Sequence, residues 1–173
     1  NIDPNLIEKK ITKKTKAILP VHWSGRICDM NKIMKVAKKY SIPVVEDACH
    51  AITATYKNKF AGNFGTFGCF SLHPLKNLNV WGDGGFLLTN SKKYYEKMLL
   101  LRNHGLVSRN VNKIFGYNSR LDTVQAVVAI ELLKKIKKIT NFRIRNSKYL
   151  DSKLKKLPKI FIKKRLIENK EVF

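Results

Sequence analysis

The sequence predicts an α/β fold with a mostly parallel sheet flanked by helices. Two short apolar runs, at residues 16–21 and 42–46, have the length and composition of buried strands. Between them, Asp29 can cap a helix whose apolar residues recur at helical spacing. These residues are Met30, Ile33, Met34, Ala37 and Tyr40. A strand, a helix and a second strand within about thirty residues form the pattern of a parallel βαβ unit.

The other elements are predicted in order along the chain. A short helix at residues 3–11 precedes the first strand, because Asp3 can cap it and Pro4 suits its first turn. Residues 52–66 read as loop, and two further strands are expected at 67–72 and 85–89. Helices are expected at 91–103, from Asp122 onward, and at 140–156. The residues expected to face mostly inward on the helix from Asp122 are Val124, Val127, Val128, Leu132 and Ile136.

The composition is that of a globular protein. The 173 residues are 44% hydrophobic and contain no apolar run long enough to span a membrane. Three cysteines without C-x-x-C spacing indicate reduced thiols, so we expect a cytoplasmic protein. The chain starts at Asn1 without a methionine or a signal-peptide pattern, and we expect it to be a piece of a longer protein.

The chain is strongly basic, with 35 Lys and Arg against 12 Asp and Glu and a formal net charge of +23. Such a charge suggests nucleic acid, but lysine dominates and aromatic residues do not alternate with the basic ones as a stacking platform requires. We therefore expect no specific nucleic-acid binding and keep a basic nucleic-acid-binding protein as an alternative. The charge would attract anionic small-molecule substrates.

Four features occur in the order that a pyridoxal phosphate (PLP) site needs. They are an acid ending an apolar run, a serine, a lysine and a glycine cluster at 82–85. A lysine amine condenses with the cofactor aldehyde, and a carboxylate pairs with the pyridinium nitrogen. Lys76 is the candidate amine, and its ordinary alternative is a surface lysine. The glycine cluster is weak evidence for phosphate binding and more typical of a turn into the next strand.

Asp47 is the candidate acid, because it falls at the carboxyl end of a predicted strand, where parallel sheets bind ligands. Glu46 is its rival, but alternation along a strand sends the two side chains to opposite faces. His50 is close enough in sequence to reach the same pocket, and the Ser71 hydroxyl could donate to the cofactor phosphate. A helix cap, a structural histidine and a loop serine are the ordinary alternatives. The histidines show no spacing typical of a metal site.

A series of short motifs extends these residues into a pattern. The motifs are NIDP at 1–4, KAILPVH at 16–22, EDACHA at 46–51, CFS at 69–71, GDGG at 82–85, LRNHG at 101–105, GYNSRL at 116–121 and QA at 125–126. With Lys76 among them, the chain resembles the DegT/DnrJ/EryC1/StrS family of sugar aminotransferases, which are fold-type I PLP enzymes. The resemblance implies that this chain is part of the three-layer large domain of such an enzyme.

The resemblance also implies a role for each matching residue. Lys76 would form the Schiff base with PLP, Asp47 would pair with the pyridinium nitrogen, and His50 would lie beside the ring. Ser71 would bind the phosphate, and Asn118 would reach the phosphate of the neighbouring subunit's cofactor in a homodimer. The complete enzyme would transfer an amino group from an amino acid, with glutamate as the expected donor, to a nucleotide-linked keto-sugar for polysaccharide or secondary-metabolite biosynthesis.

The chain departs from the family pattern in a few places. Asp83 stands where glutamate is commoner, and the segment from Lys76 to Gly82 is one residue longer than the commonest form. The family's upstream Gly-Thr phosphate loop and ring-stacking aromatic are absent. We expect residues 1–156 to belong to the PLP-binding large domain and 157–173 to begin the passage to a small C-terminal domain. Such a fragment alone would bind cofactor poorly or be inactive.

Two other functions remain alternatives to the aminotransferase. A dehydratase branch of the family carries histidine in place of the lysine, and Lys76 argues against that branch. A PLP-fold sensor without amino-group transfer is the related alternative. The basic nucleic-acid binder is the alternative outside the family.

Overall fold

The computed structural model describes residues 1–162, 165 and 169–173. Its helices are α1 (Ile7–Lys10), α2 (Met30–Lys39), α3 (Lys92–Leu101), α4 (Thr123–Leu133) and α5 (Ile136–Leu154). Its strands are β1 (Val45–Asp47), β2 (Thr55–Tyr56), β3 (Lys59–Phe60), β4 (Phe67–Ser71), β5 (Gly85–Leu88), β6 (Leu106–Ser108), β7 (Val111–Asn112) and β8 (Asn169–Lys170). No helix among these described residues is long and apolar enough to cross a membrane.

The main sheet has the strand order β1-β4-β5. Strands β1 and β4 are parallel, with Asp47 opposite Cys69, and β5 runs antiparallel to β4. The predicted first strand joins the other side of β1 through two parallel bridges, Ile18 to Val44 and Val21 to Asp47. The sheet is therefore mostly parallel, as predicted, and β5 is its antiparallel member.

Helix α2 forms where the sequence predicts it and supplies much of the core. The Asp29 carboxylate accepts a hydrogen bond from the Lys32 backbone N–H at 3.3 Å, which caps the first turn. Met30, Ile33 and Ala37 lie on one face and are buried in the same cluster as Ile18 and Val44 of the sheet. The predicted βαβ unit is confirmed.

The first helix is shorter than predicted. It begins at Ile7 rather than near Pro4, and the Asp3 carboxylate accepts the Asn5 backbone N–H at 2.9 Å instead of capping the helix. The Leu6 N–H also bonds to the Asp3 carbonyl at 3.2 Å. Asp3 and Pro4 thus form a turn, because the aspartate side chain competes locally for backbone donors.

The inward face predicted for the helix beginning at Asp122 is only partly right. Leu132 and Ile136 pack in a second core cluster with Leu72 and Val80. Val124 and Val127, by contrast, are 64% and 56% exposed. Helix α4 is apolar around most of its circumference, so its sequence periodicity does not define one buried face.

The last described residues return to the body of the protein. Strand β8 pairs antiparallel with β2, and the Val172 N–H donates to the Gly25 carbonyl at 3.2 Å. The Val172 side chain is fully buried in the main core cluster. The division of the chain between residues 156 and 157 into two domains stays a prediction.

Candidate active site

The end of β1 separates two neighbouring acids. Glu46 is fully buried and lies on the core side of the strand, whereas Asp47 is half-buried on the other side. An Asp47 carboxylate oxygen accepts the Cys49 backbone N–H at 3.1 Å. The predicted alternation is confirmed, and Asp47 is the acid of the pair that is not enclosed by the core.

The end of β4 leads into the segment that carries Lys76. The Lys76 N–H bonds to the His73 carbonyl at 2.9 Å, and the Val80 N–H bonds to the Leu72 carbonyl at 2.9 Å. Leu78 and Val80 are buried and anchor the segment to the second core cluster. This anchoring leaves Lys76 half-buried near the carboxyl ends of the parallel strands.

A cavity of about 520 Å³ lies at this edge of the sheet. Of the predicted residues, His50, Ser71 and Lys76 line it together. Other lining residues are Ser24, Cys49, Ile52, His73, Leu75, Asn77, Arg143 and Phe173. Three residues predicted from separate motifs therefore meet around one space large enough for a small ligand.

Asp47 does not line the cavity itself but contacts Cys49, which does. Burial raises the pKa of the Cys49 thiol to about 12. The Asp47 side chain adds to that rise, and the positive charge of Lys76 opposes it. Asp47 and Lys76 are therefore both close enough to Cys49 to affect its pKa. The net effect keeps Cys49 a neutral thiol.

Asn118 is not brought to this cavity. It is exposed and forms an isolated antiparallel bridge with Asn103. The neighbouring Arg120 guanidinium donates to the Asn103 side-chain oxygen at 2.9 Å. Asn118 therefore lies on an ordered surface loop of this chain, and its predicted reach to a partner's cofactor stays a prediction.

The glycine cluster at 82–85 leads directly into β5. The Leu72 N–H donates to the Gly84 carbonyl at 2.8 Å. A Cβ on Gly84 would lie 2.8 Å from a Leu121 side-chain carbon, and one on Gly85 would lie 2.7 Å from the Phe70 carbonyl oxygen. These close contacts leave no room for a side chain at Gly84 or Gly85, and the interpretation of the cluster as a turn stays a prediction.

The sequence analysis missed Asn77. Its side chain is only 8% exposed and lines the cavity beside Lys76. Its amide nitrogen has no hydrogen-bond partner among the described residues. A buried donor without a partner is costly, so such a group at a cavity wall points to a ligand acceptor. One signal was available, because Asn77 is a polar residue directly before the apolar Leu78.

Arg143 was also missed. It comes from α5, far along the chain, and lines the same cavity. Helix α5 is held near the segment after His50 by a hydrogen bond of 3.1 Å between the Thr53 and Thr140 hydroxyls. The Arg143 guanidinium also donates to the carbonyl oxygen of Phe173, which lines the cavity too. Tertiary contacts therefore bring Arg143 to the site, and no local sequence motif predicts them.

The chain is similar to known proteins over most of its length. A UDP-N-acetyl-3-dehydro-alpha-D-glucosamine 3-aminotransferase of Acidithiobacillus ferrooxidans is 46% identical over 122 residues, which are 70% of this chain and 33% of that protein. The structure of DesV from Streptomyces venezuelae, in complex with a ketimine intermediate, has a TM-score of 0.94 at 34% identity. It covers 98% of this chain, and the match is 46% of the DesV chain.

NtdA of Bacillus subtilis, solved with the bound cofactor PMP, has a TM-score of 0.82 at 35% identity over 90% of this chain and 36% of its own. These structures confirm the predicted α/β class and its assignment to the PLP-transferase large domain. The chain spans about a third of the length of the curated relatives that it matches. The model of one family, whose members depend on PLP, matches residues 1–172, and the chain therefore belongs to the DegT/DnrJ/EryC1/StrS aminotransferase family.

Proposed function

We propose that the complete protein is a PLP-dependent aminotransferase that moves an amino group from an amino acid, in our proposal glutamate, to a nucleotide-linked keto-sugar. One observation carries the proposal: His50, Ser71 and Lys76 line a single cavity, with Asp47 directly behind Cys49 in its wall. These residue types suit an aldehyde cofactor with a ring nitrogen and a phosphate.

The side chains of this chain would divide the work of holding the cofactor. The Lys76 amine would hold the aldehyde carbon, and Asp47 would support a protonated ring nitrogen. Ser71 would donate its hydroxyl proton to the phosphate. The unpaired amide of Asn77 fits the same group, because a bound acceptor would relieve a buried donor.

When bound, PLP supplies the electron sink that stabilises negative charge on the substrate carbon. The chain's own residues would bind, orient and move protons around it. The Lys76 amine, once free, would be available to carry a proton between the substrate carbon and the cofactor carbon. Arg143 adds a second cation to the cavity wall, which suits an anionic substrate.

The organisation of the complete protein is part of the proposal. It would be a cytoplasmic homodimer in which Asn118 reaches the phosphate of the neighbouring subunit's cofactor. Residues 1–156 would belong to the large domain, and residues 157–173 would begin the passage to a small C-terminal domain. The exposed position of Asn118 is compatible with contact to a second subunit.

The test uses the complete protein incubated with PLP. We expect a visible absorbance band for the wild type and its loss in Lys76→Ala, because the lysine amine is the covalent partner. Lys92→Ala is the matched control, since its side chain is 90% exposed on α3. Equal bands in wild type and Lys76→Ala would refute the assignment of the lysine.

The alternatives predict different results in the same experiment. Intact cofactor absorbance without amino-group transfer from glutamate to keto-sugars would favour a dehydratase or sensor. Salt-dependent binding to DNA or RNA without any cofactor absorbance would favour the basic nucleic-acid binder.

A further inference from the structure

A buried hydrogen bond between a histidine and a carboxylate lies on the opposite side of β1 from the cavity. His22 and Glu46 are both fully buried, and the His22 Nε2 lies 3.0 Å from a Glu46 carboxylate oxygen. The carboxylate also accepts three backbone N–H groups, from Gly62 at 2.8 Å, Phe64 at 2.6 Å and Gly65 at 2.6 Å. Because four donors meet one carboxylate, Glu46 is fully satisfied as an anion.

The contacts of His22 define its tautomer. Its Nδ1 accepts the Cys28 backbone N–H at 3.3 Å, so the proton of the neutral ring is on Nε2 and is donated to Glu46. Both ring nitrogens are therefore occupied. The His22 ring therefore contacts Glu46 of β1 through one nitrogen and Cys28, just before α2, through the other.

The next three residues form a tight turn, at Trp23–Gly25. The Gly25 N–H bonds back to the His22 carbonyl at 3.3 Å. Ser24 has φ of 53° and Gly25 has φ of 78°, which is the left-handed region. A Cβ on Gly25 would lie 1.4 Å from the Val172 carbonyl oxygen. A non-glycine residue stays in such a conformation only where its surroundings hold it.

The turn delivers a backbone donor to the cavity wall. The Ser24 N–H donates to His50 Nδ1 at 3.2 Å, and the Trp23 ring lies 5.2 Å from the His50 ring. His50 uses its Nδ1 lone pair in this bond. The proton of its neutral ring is then on Nε2, which makes that nitrogen a donor and not an acceptor.

We propose that His22 is a positioning residue that fixes the tautomer of His50. Held by Glu46 and Cys28, His22 keeps the turn in the conformation that aims the Ser24 N–H at His50 Nδ1. His50 consequently offers an Nε2–H donor to an oxygen of the bound ligand and does not act as a general base in its neutral form. The identity of that ligand rests on the proposed function, whereas the tautomer does not.

The direct test is ¹⁵N NMR of the histidine side chains in the cofactor-free complete protein. His50→Gln assigns the His50 signals by removing them. We expect a protonated Nε2 and an unprotonated Nδ1 for His50 in the wild type. A protonated Nδ1 would overturn the proposal.

Two substitutions at His22 separate its contacts. His22→Gln can still reach Glu46 but not the Cys28 N–H, and His22→Asn can reach Cys28 but not Glu46. We expect either variant to give His50 a mixture of tautomers, with Ser24→Gly as a control that keeps the backbone donor. If a folded His22 variant leaves the His50 signals unchanged, the positioning role is wrong. If both His22 variants fail to fold, two measurements still test whether His50 donates from Nε2. They are the tautomer of His50 in the wild type and the PLP affinities of the His50 variants.

Cofactor binding supplies an independent measurement. Among the His50 variants, Gln retains a side-chain donor and Leu does not, so His50→Gln should bind PLP about tenfold more tightly than His50→Leu, the value of about one hydrogen bond. Equal affinities would show that no donor is used at this position. A wild type that binds no PLP would instead refute the proposed function, while the NMR result on the tautomer would stand.

Discussion

Glu46 and Asp47 have the same chemistry and adjacent positions, yet β1 gives them opposite surroundings. Glu46 is enclosed by four donors in the core, whereas Asp47 faces the cavity wall through Cys49. The first arrangement contributes to stability, whereas the second leaves Asp47 beside the cavity wall, where we propose that it serves the site. At the scale of single residues, burial and hydrogen-bond partners distinguish the structural acid, Glu46, from the acid beside the cavity, Asp47.

Glu46→Gln should therefore destabilise the protein strongly. Its amide NH₂ would face N–H donors that now bond to a carboxylate oxygen, leaving buried donors without acceptors. We expect a loss of about 3 kcal/mol in the free energy of unfolding. Urea denaturation of the cofactor-free protein measures it, with Asp47→Asn as the control expected to change less than about 1 kcal/mol. Similar losses for both variants would contradict this division of roles.

Asn77 and Asn79 form a second matched pair. Asn79 donates its side-chain amide to the Lys76 carbonyl at 2.9 Å, whereas the Asn77 amide nitrogen has no partner among the described residues. Asn79→Ala should cost about 1 kcal/mol of stability. Asn77→Ala should leave the stability of the cofactor-free protein within about 0.5 kcal/mol and weaken PLP binding about tenfold.

Thermal unfolding without cofactor and PLP titration by absorbance check both statements. If Asn77→Ala instead destabilised the cofactor-free protein as much as Asn79→Ala, Asn77 would have a partner within the protein. Its role in ligand binding would then be wrong.

The Cys49 thiol should be unreactive at neutral pH. Burial first, and then the Asp47 side chain, raise its pKa from 9.0 to about 12. At pH 8 the thiolate fraction falls about a thousandfold relative to an unperturbed thiol. Alkylation measured by mass spectrometry should therefore be at least that much slower in the native protein than in urea. Labelling of Cys49 at the same rate in both states would contradict the shift.

The same shift links Cys49 to stability at high pH. A thiol whose folded pKa is raised binds its proton more tightly in the native state. The contribution of Cys49 to the free energy of unfolding is therefore fully present below about pH 9. It is lost as the pH rises toward 12.

At the scale of elements, α2 and α4 show two uses of an apolar helix. Helix α2 has one buried face with Asp29 as its cap, so its amphipathic pattern identifies it in sequence. Helix α4 is apolar on several faces and leaves Val124, Val127 and Ile130 more than half exposed. A helix sequence that is apolar on every face does not indicate which face packs against the core.

The buried face of α2 gives a direct prediction. Ile33 is fully buried between the helix and the sheet, so Ile33→Ala should lower the free energy of unfolding by about 2–5 kcal/mol. Lys35→Ala on the exposed side of the same helix controls for helix propensity and should change it by less than about 0.5 kcal/mol. Urea denaturation compares the two, and equal effects would refute the core position of α2.

At the scale of the whole molecule, the site depends on segments far apart in sequence. The cavity wall is built from Ser24 in a turn, His50 in the segment after β1, Lys76 in the segment after β4 and Arg143 in α5. The chain carries a formal net charge of +23, and an excess of positive charge favours the approach of anionic ligands. Nucleotide sugars and the phosphate of PLP both carry such charge, which agrees with the proposed function.

The sequence by itself determined the βαβ unit and the cap at Asp29, because helix spacing and strand ends are local signals. The order of the motifs also predicted that His50, Ser71 and Lys76 lie together, and they line one cavity. Only the tertiary structure decided that α4 leaves Val124 exposed, that Asn77 is buried without a partner, and that Arg143 joins the cavity. The physical reason is that burial and pairing depend on which segments pack together, and residues distant in the chain carry no mutual local signal.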